Sequence, residues 1–314
     1  MSNIDRYAVI GSGIAHSRSP QIHAMFAQAT RQAMEYGLLD CPPVAFKPTV
    51  DAFFKAGGRG LNVTVPHKQA ALQLCATLTA RARRAGAVNT LVRGDDGKLL
   101  GDNTDGAGLV RDLSFNLRFK LTGARVLLLG AGGAARGIIA PLVEAGAAEL
   151  EIHNRHPARA RALAQEFADL APVRAGEVPA PPPPPMPGVY GSTIHATSAD
   201  AAAVHRARRN DGGYDLIINA TSASLSNELP EIPPHAVGIQ TLAYDLAYRD
   251  RDTVFVHWAR RAGAARAVMG LGMLVEQAAE SFLLWRGVRP DTAHVLQALS
   301  DPNHGDRPLS SPPG

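Results

Sequence analysis

The chain has 314 residues and a mass of 33.1 kDa, enough for about two domains of roughly 150 residues each. Its hydrophobic fraction of 46% and charged fraction of 19% exclude disorder over the whole length. No apolar run reaches the roughly 20 residues needed to cross a bilayer, and the N-terminal residues lack a basic-then-apolar leader. We therefore expect a soluble, cytoplasmic protein with no membrane partner.

The charge pattern argues against a nucleic-acid partner. The 32 basic and 28 acidic residues give a net charge of +4, the positive charges are scattered, and aromatic residues make up only 5%. A small anionic molecule fits this balance better. The two cysteines cannot form a disulfide framework, and the histidines and cysteines show no clustered metal-ligand spacing, so we expect no metal site.

Short apolar runs alternate with helical patterns, which predicts two α/β units. Residues 7–11, 60–65 and 87–91 resemble strands of a smaller N-terminal unit. In the second unit, residues 125–129 predict a buried parallel strand, 134–145 a helix ended by Gly146, and 149–153 a second strand. A strand, helix and strand within about 30 residues have the size of a βαβ crossover. Further strands are predicted at 215–219 and 241–246.

Two segments near the end of the chain and one proline run complete the prediction. Residues 272–287 place apolar side chains at helical spacing, which predicts a core helix but leaves open which unit it joins. Seven prolines between 179 and 187 favour extended polyproline II structure. We interpret this run as a surface insertion, with a docking site for a proline-reading partner as the alternative. The proline-containing residues 301–314 are expected to form a flexible tail.

A glycine-rich turn between the first strand and helix of the second unit favours dinucleotide binding. Its residues are Gly130, Ala131, Gly132, Gly133 and Ala134. Glycines let the backbone approach a pyrophosphate at the helix N-terminus, although tight turns without a ligand also use glycine. After the next strand come Asn154, Arg155 and Arg159, where an NAD site would normally place an acidic residue. Arginines there favour the 2′-phosphate of NADP, with solvated surface arginines as the alternative.

The N-terminal unit contains a second group of polar residues at its predicted strand ends. The group includes Ser17 and Ser19, Thr64 and Lys68, Asn89 and Thr90, and the run 103–106. Each has a purely structural alternative: a helix start, a surface charge or a turn. Together these hydroxyl, amide and ammonium groups suit a small polyhydroxylated acid.

The motifs HSRSP, NVTVPHK, AGAVNT, GDNTDG, GAGGAAR, NATS, DLAY and GMLVEQAAESFLLWRG occur in the order typical of shikimate dehydrogenases. Over about residues 7–299 the chain resembles that family. The resemblance implies NADPH-dependent reduction of 3-dehydroshikimate to shikimate in chorismate and aromatic amino acid biosynthesis. It also implies two α/β domains: a substrate domain from residues 1–106 and 273–300, and a Rossmann-type NADP domain from residues 107–272. The resemblance leaves the oligomeric state open, with a homodimer as one option.

The resemblance further implies a role for individual residues. Lys68 and Asp105 match the family's catalytic pair. The substrate would meet Ser17, Ser19, Thr64, Lys68, Asn89, Asp105, Tyr248 and Gln277. NADP would contact Gly130, Ala131, Gly132, Gly133, Ala134, Asn154, Arg155, Arg159 and Gly270. Ser224 departs from the pattern, because glycine is common at that position.

Two other functions compete with this prediction. The nearest is a quinate/shikimate dehydrogenase with broader substrate or cofactor use, against which the two serines and the arginine pair argue. The other is a catalytically silent NADP-binding module, which would be expected to lack Lys68 or Asp105, yet both are present.

Overall fold

The computed structural model describes residues 4–170, 172–176 and 213–300. Within these residues the chain forms two six-stranded sheets covered by helices. The proline run and residues 301–314 lie outside the described residues, so the predictions for them stay predictions. None of the described helices has the length and apolar character required to span a membrane.

The first sheet contains the first six strands in the order β2-β1-β3-β5-β6-β4. The strands are β1 (Asp5–Gly11), β2 (Met34–Asp40), β3 (Gly58–Val63), β4 (Thr77–Leu78), β5 (Thr90–Arg93) and β6 (Leu99–Asp102). The helices of this part are α1 (Ser19–Thr30), α2 (Phe46–Lys55), α3 (Lys68–Leu72), α4 (Ala80–Ala85) and α5 (Asp105–Arg111). Strands β1, β2 and β3 are parallel, whereas β5 pairs antiparallel with β3 and β6. The loops after β1 and β3 therefore leave the same edge of the sheet.

The second sheet is entirely parallel, with the order β9-β8-β7-β10-β11-β12. The strands are β7 (Arg125–Leu129), β8 (Glu149–His153), β9 (Val173–Ala175), β10 (Tyr214–Asn219), β11 (Val237–Asp245) and β12 (Arg266–Met269). The helices are α6 (Gly133–Glu144), α7 (Pro157–Glu166), α8 (Val254–Arg261), α9 (Leu271–Arg286) and α10 (Ala293–Ser300). This order is that of the Rossmann dinucleotide-binding fold. The predicted α/β class and Rossmann-type architecture are confirmed.

The hydrophobic cores follow the two sheets. Apolar side chains of β7, such as Val126 and Leu127, are fully buried and pack against helices on opposite faces of the second sheet. A separate cluster joins α1, α9 and α10 through Phe26, Phe282 and Val295. The helix predicted at 272–287 thus packs against the first helix of the chain, and it also contacts α5. Gly287 ends it in a left-handed conformation with φ of 71°.

Several predicted boundaries differ from the structure. The strand predicted at 60–65 runs from Gly58 to Val63, and the helix predicted at 134–145 begins one residue earlier and ends one residue earlier. The strand predicted at 87–91 was wrong over most of its length, because β5 begins only at Thr90. Of the residues before it, Ala87 and Val88 are buried apolar residues, and the Asn89 side chain is hydrogen-bonded to Asp105.

Candidate active site

Lys68 and Asp105 come together at the centre of the molecule. Lys68 is the first residue of α3, shortly after β3, and Asp105 is the first residue of α5, shortly after β6. The Lys68 Nζ atom lies 2.5 Å from Asp105 Oδ2. The side chains keep only 13% and 5% of their surface exposed, so this ion pair is held in a largely dehydrated setting.

Asn89 holds the second oxygen of the Asp105 carboxylate. Its Nδ2 group donates to Asp105 Oδ1 at 2.8 Å, and its Oδ1 atom accepts from the backbone N–H of Thr104 at 2.8 Å. The amide therefore has a fixed orientation, with its donor side toward the carboxylate. Both oxygens of Asp105 are hydrogen-bonded, one to an ammonium group and one to an amide.

Gln277 reaches the same cluster from α9. Its Oε1 atom accepts from Asn89 Nδ2 at 3.3 Å, and its Nε2 group donates to the carbonyl of Leu274 at 2.8 Å. Gly108 explains how α5 comes so close, because a Cβ atom there would lie 2.6 Å from the backbone nitrogen of Gln277. A larger residue at 108 would push α9 away from Asn89.

The predicted serines lie in the loop that follows β1. Ser17 is half-buried and its Oγ atom accepts from the backbone N–H of Ser19 at 3.3 Å, while Ser19 is buried at the start of α1. Thr64 follows β3 at the same sheet edge and lies against Gly11 at the end of β1. The two loops therefore meet at one edge of the sheet.

Tyr248 lies in the loop after β11 of the second sheet and is half-buried. Two residues later, Asp250 Oδ1 forms an ion pair with Arg18 Nη2 at 2.5 Å. Burial raises the pKa of Tyr36 well above its usual value, the neighbouring Tyr248 adds to this, and a hydrogen bond with Ser19 opposes it. Tyr36 is thus close to both Ser19 and Tyr248.

The glycine-rich turn adjoins Lys68. Gly130 has φ of 109°, which few residues other than glycine adopt, and its N–H donates to the carbonyl of His153 at 2.7 Å. A Cβ atom on Gly133, the first residue of α6, would lie 3.5 Å from the Cβ atom of Lys68. Among the described residues, no neighbouring atom lies within 4 Å of a Cβ built on Gly132, and the residue is exposed. An open turn at the start of a long helix fits a pyrophosphate.

Arg155 and Arg159 lie between β8 and the first turn of α7. Both are exposed, and neither guanidinium pairs with a carboxylate of the described residues. Asn154 shapes this loop, because its Oδ1 atom accepts from the backbone N–H of His156 at 3.0 Å. Two such guanidinium groups at this end of a Rossmann strand fit the 2′-phosphate of NADP. The buried Gly270 donates its N–H to the carbonyl of Ala247 at 3.1 Å, one residue before Tyr248.

Ser224 has a structural partner that the family pattern does not predict. Its hydroxyl donates to Asp245 Oδ2 at 2.5 Å and accepts from Asn219 Nδ2 at 3.0 Å. Burial raises the pKa of the Asp245 carboxyl, which these hydrogen bonds oppose. The serine therefore ties the turn after β10 to the end of β11.

Several polar residues around the pair were not assigned from the sequence. They are Asn62, Thr90, Thr104 and Ser281, all of which are buried and hydrogen-bonded to one another or to Asn89. All four lie in quoted motifs, so the motifs marked the right region. Ser281 also lies one helical turn after Gln277, but neither feature of the sequence gives it a role.

Family models and known proteins of a single family match this chain, and they cover the segments that form the candidate site. A model of the shikimate dehydrogenase substrate binding domain matches residues 9–91, a shikimate/quinate 5-dehydrogenase model matches residues 114–176, and a model of the shikimate 5′-dehydrogenase C-terminal domain matches residues 270–299. A shikimate dehydrogenase (NADP(+)) from Aromatoleum aromaticum is 51% identical, over 94% of this chain and 97% of that protein.

Solved structures give the same result. An Ael1 enzyme from Pseudomonas putida aligns with a TM-score of 0.78 and 42% identity, over 95% of this chain and 99% of that chain. A shikimate 5-dehydrogenase from Thermus thermophilus, in complex with NADP(H) and shikimate, aligns with a TM-score of 0.74 and 32% identity, over 93% of this chain and 97% of that chain. Both similarities span nearly the whole fold.

Proposed function

We propose that Lys68 and Asp105 are the catalytic pair of this chain, which belongs to the shikimate dehydrogenase family. The reaction is the NADPH-dependent reduction of 3-dehydroshikimate to shikimate, a step of aromatic amino acid biosynthesis. The single observation that supports the pair most strongly is the 2.5 Å contact between Lys68 Nζ and Asp105 Oδ2. Lys68 also lies against the first residue of α6, next to the glycine-rich turn.

Substrate binding is assigned to the polar groups that surround this pair. They are Ser17, Ser19, Thr64, Asn89, Tyr248 and Gln277. Hydroxyl and amide groups can both donate to the substrate carboxylate and exchange hydrogen bonds with the ring hydroxyls. All six residues are buried or half-buried, so a substrate bound among them would be largely shielded from water.

Cofactor binding is assigned to three segments that follow strands of the second sheet, namely β7, β8 and β12. Gly130, Ala131, Gly132, Gly133 and Ala134 would hold the pyrophosphate, Asn154, Arg155 and Arg159 would hold the 2′-phosphate, and Gly270 would be a further NADP contact. When bound, NADPH supplies the hydride that reduces the C3 carbonyl. Two guanidinium groups suit a phosphate dianion because each can donate two parallel hydrogen bonds.

Lys68 supplies the proton. As the carbonyl carbon is reduced, negative charge develops on its oxygen, and an ammonium group within hydrogen-bond reach stabilises that charge and then protonates it. In the oxidation of shikimate the same amine accepts the proton from the C3 hydroxyl. Lys68 is well suited to this role because its side chain is largely shielded from water, which strengthens its interaction with the oxyanion.

Asp105 orients the lysine and accepts a hydrogen bond from the substrate hydroxyl. Its carboxylate holds Lys68 through Oδ2, while Asn89 holds Oδ1. This leaves the outward-facing lone pairs of the carboxylate for a ligand. Fixing the ammonium group in advance lowers the entropy that the reaction must otherwise lose.

The domain division and cellular setting are part of the same proposal. Residues 1–106 and 273–300 form the substrate domain, and residues 107–272 form the NADP domain. The contacts of α9 and α10 with α1 support this division. We assign the enzyme to the cytoplasm, a reducing compartment in which Cys41 and Cys75 stay free thiols. The homodimer stays a prediction, which size-exclusion chromatography with light scattering can test.

Steady-state assays with two substrates and two cofactors test the function directly. We expect kcat/KM to be highest for shikimate with NADP and at least about tenfold lower with NAD, because the contacts to the 2′-phosphate are lost. Quinate should be oxidised much more slowly than shikimate. Equal efficiency with quinate or with NAD would instead support a quinate/shikimate dehydrogenase of broader use. Absence of turnover with every pair would support a silent NADP-binding module.

A further inference from the structure

We infer that Ser281 is a positioning residue, which orients Asp105 through Thr90 and Asn89 without contacting the substrate. The inference rests on the proposed roles of Lys68 and Asp105. Ser281 lies in the middle of α9 and has no solvent-exposed surface. Its influence on the reaction must therefore pass through its neighbours.

The Ser281 hydroxyl joins strands of the first sheet to α9. It accepts from Asn62 Nδ2 at 2.9 Å, lies 2.8 Å from Thr90 Oγ1 and lies 3.1 Å from the carbonyl of Gln277. Thr104 Oγ1 is also within 3.2 Å. A hydroxyl has one proton, and its two acceptors here are the Gln277 carbonyl at 3.1 Å and Thr90 Oγ1 at 2.8 Å; we assign the proton to the nearer Thr90.

Thr90 connects Ser281 to Asn89. The Thr90 hydroxyl donates to Asn89 Oδ1 at 2.9 Å and accepts from Asn62 Nδ2 at 3.2 Å. Because the Thr90 hydroxyl donates its one proton to Asn89, it can only accept hydrogen bonds from its other partners. Ser281 and Asn62 are the groups that can donate to Thr90, and they direct its proton toward Asn89.

The Thr90 proton and the backbone N–H of Thr104 are both directed at Asn89 Oδ1, and together they determine which side of the Asn89 amide faces Asp105. Donors on Asn89 Oδ1 keep the Nδ2 group turned toward Asp105 Oδ1, at 2.8 Å. A flipped amide would place its oxygen against the carboxylate, where two acceptors repel each other. The network from Ser281 to Asn89 therefore keeps the carboxylate in the position that holds Lys68.

At the other end of the network, Tyr36 fixes the orientation of Asn62. The Tyr36 hydroxyl donates to Asn62 Oδ1 at 2.7 Å, which leaves the Nδ2 group of Asn62 directed at Thr90 and Ser281. Asn62, Thr90 and Ser281 are all at most 6% exposed, so water cannot easily replace a lost partner. Removing the Ser281 hydroxyl should loosen the orientation of Asn89 and Asp105 together.

A double-mutant cycle on Ser281→Ala and Thr90→Val tests the inference. We expect Ser281→Ala to lower kcat by about threefold to tenfold, as for one lost hydrogen bond, with a smaller rise in the shikimate KM because Asn89 and Asp105 are also assigned to substrate binding. Thr90→Val keeps the side-chain shape and should give a similar loss. Because both residues act along one path, the double variant should be no slower than the slower single variant.

Thr241→Ala is the matched control. Thr241 is a buried hydroxyl of β11 that donates to the carbonyl of Tyr214 at 2.5 Å, away from the candidate site. This variant should lower the melting temperature about as much as Ser281→Ala while leaving kcat unchanged. The control separates loss of orientation from loss of stability.

The inference is overturned if Ser281→Ala keeps the parent kcat, or if the two single losses multiply in the double variant. If Ser281→Ala does not fold, Thr90→Val carries the test, and a parent-like kcat overturns the inference. Lys68→Ala separates the two proposals. If Lys68→Ala is inactive and Ser281→Ala is normal, only the positioning role fails, whereas an active Lys68→Ala contradicts the catalytic pair itself.

Discussion

The amide of Asn89 determines which oxygen of the Asp105 carboxylate is left to bind Lys68. With its Nδ2 group at 2.8 Å from Asp105 Oδ1, it leaves the other carboxylate oxygen for Lys68. Lys68 and Asp105 could be identified from the sequence because each lies in a short motif. Ser281 also lies in a motif, but its role could not be identified, since its partner Asn62 lies 219 positions away and a sequence does not reveal which distant polar groups come together.

The two serines of the loop after β1 differ in what their loss should do. Ser17→Ala and Ser19→Ala should each raise the shikimate KM by roughly tenfold, as expected for one lost hydrogen bond of about 1.5 kcal/mol. Ser17→Ala should also lower the melting temperature, because Ser17 Oγ accepts from the backbone N–H of Ser19. Steady-state kinetics and thermal unfolding measure the two effects. If both variants bind shikimate as the parent does, the loop is only a structural turn.

At the level of elements, buried parallel strands were the easiest to predict. The predicted bounds of β7 and β8 are those of the structure, because an apolar run between polar or glycine residues has few other conformations available. The four edge strands β2, β4, β9 and β12 were not predicted, and neither was β6. In β2 the residues alternate between half-buried and exposed, and such a surface lacks the apolar pattern that indicates a core strand.

The junction between β8 and α7 carries the prediction on cofactor choice. Replacing Arg155 and Arg159 together by alanine should raise the NADP KM at least about tenfold with little change in kcat, because phosphate contacts are shared by the ground and transition states. Arg161→Ala is the matched control, since Arg161 is an exposed residue of the same helix. Its NADP KM should stay near that of the parent. A double variant that binds NADP normally would mean that these arginines are ordinary surface charges.

In the molecule as a whole, the two α/β units meet at Lys68 and Asp105, the proposed catalytic pair. Helix α6, which follows the glycine-rich turn, lies against Lys68 at Gly133 and against Asp105 at Gly137, where a Cβ atom would lie 3.2 Å from Oδ2. The ion pair between Arg18 and Asp250 links the loop after β1 to the loop after β11. The proposed proton donor thus comes from the first half of the chain and the glycine-rich turn from the second unit. The sequence predicted both parts, but only the structure shows this contact between them.

Turnover of Lys68→Ala tests the central claim most directly. General acid–base catalysis accelerates a reaction by about 10²–10⁴-fold, so kcat of this variant should fall by at least about 100-fold. The shikimate KM should change much less, because the ammonium group interacts most strongly with charge that exists only in the transition state. Melting temperature and NADPH affinity, measured on the same variant, should stay close to the parent values. Near-normal turnover with a collapse of shikimate affinity would contradict the account and make Lys68 a binding residue.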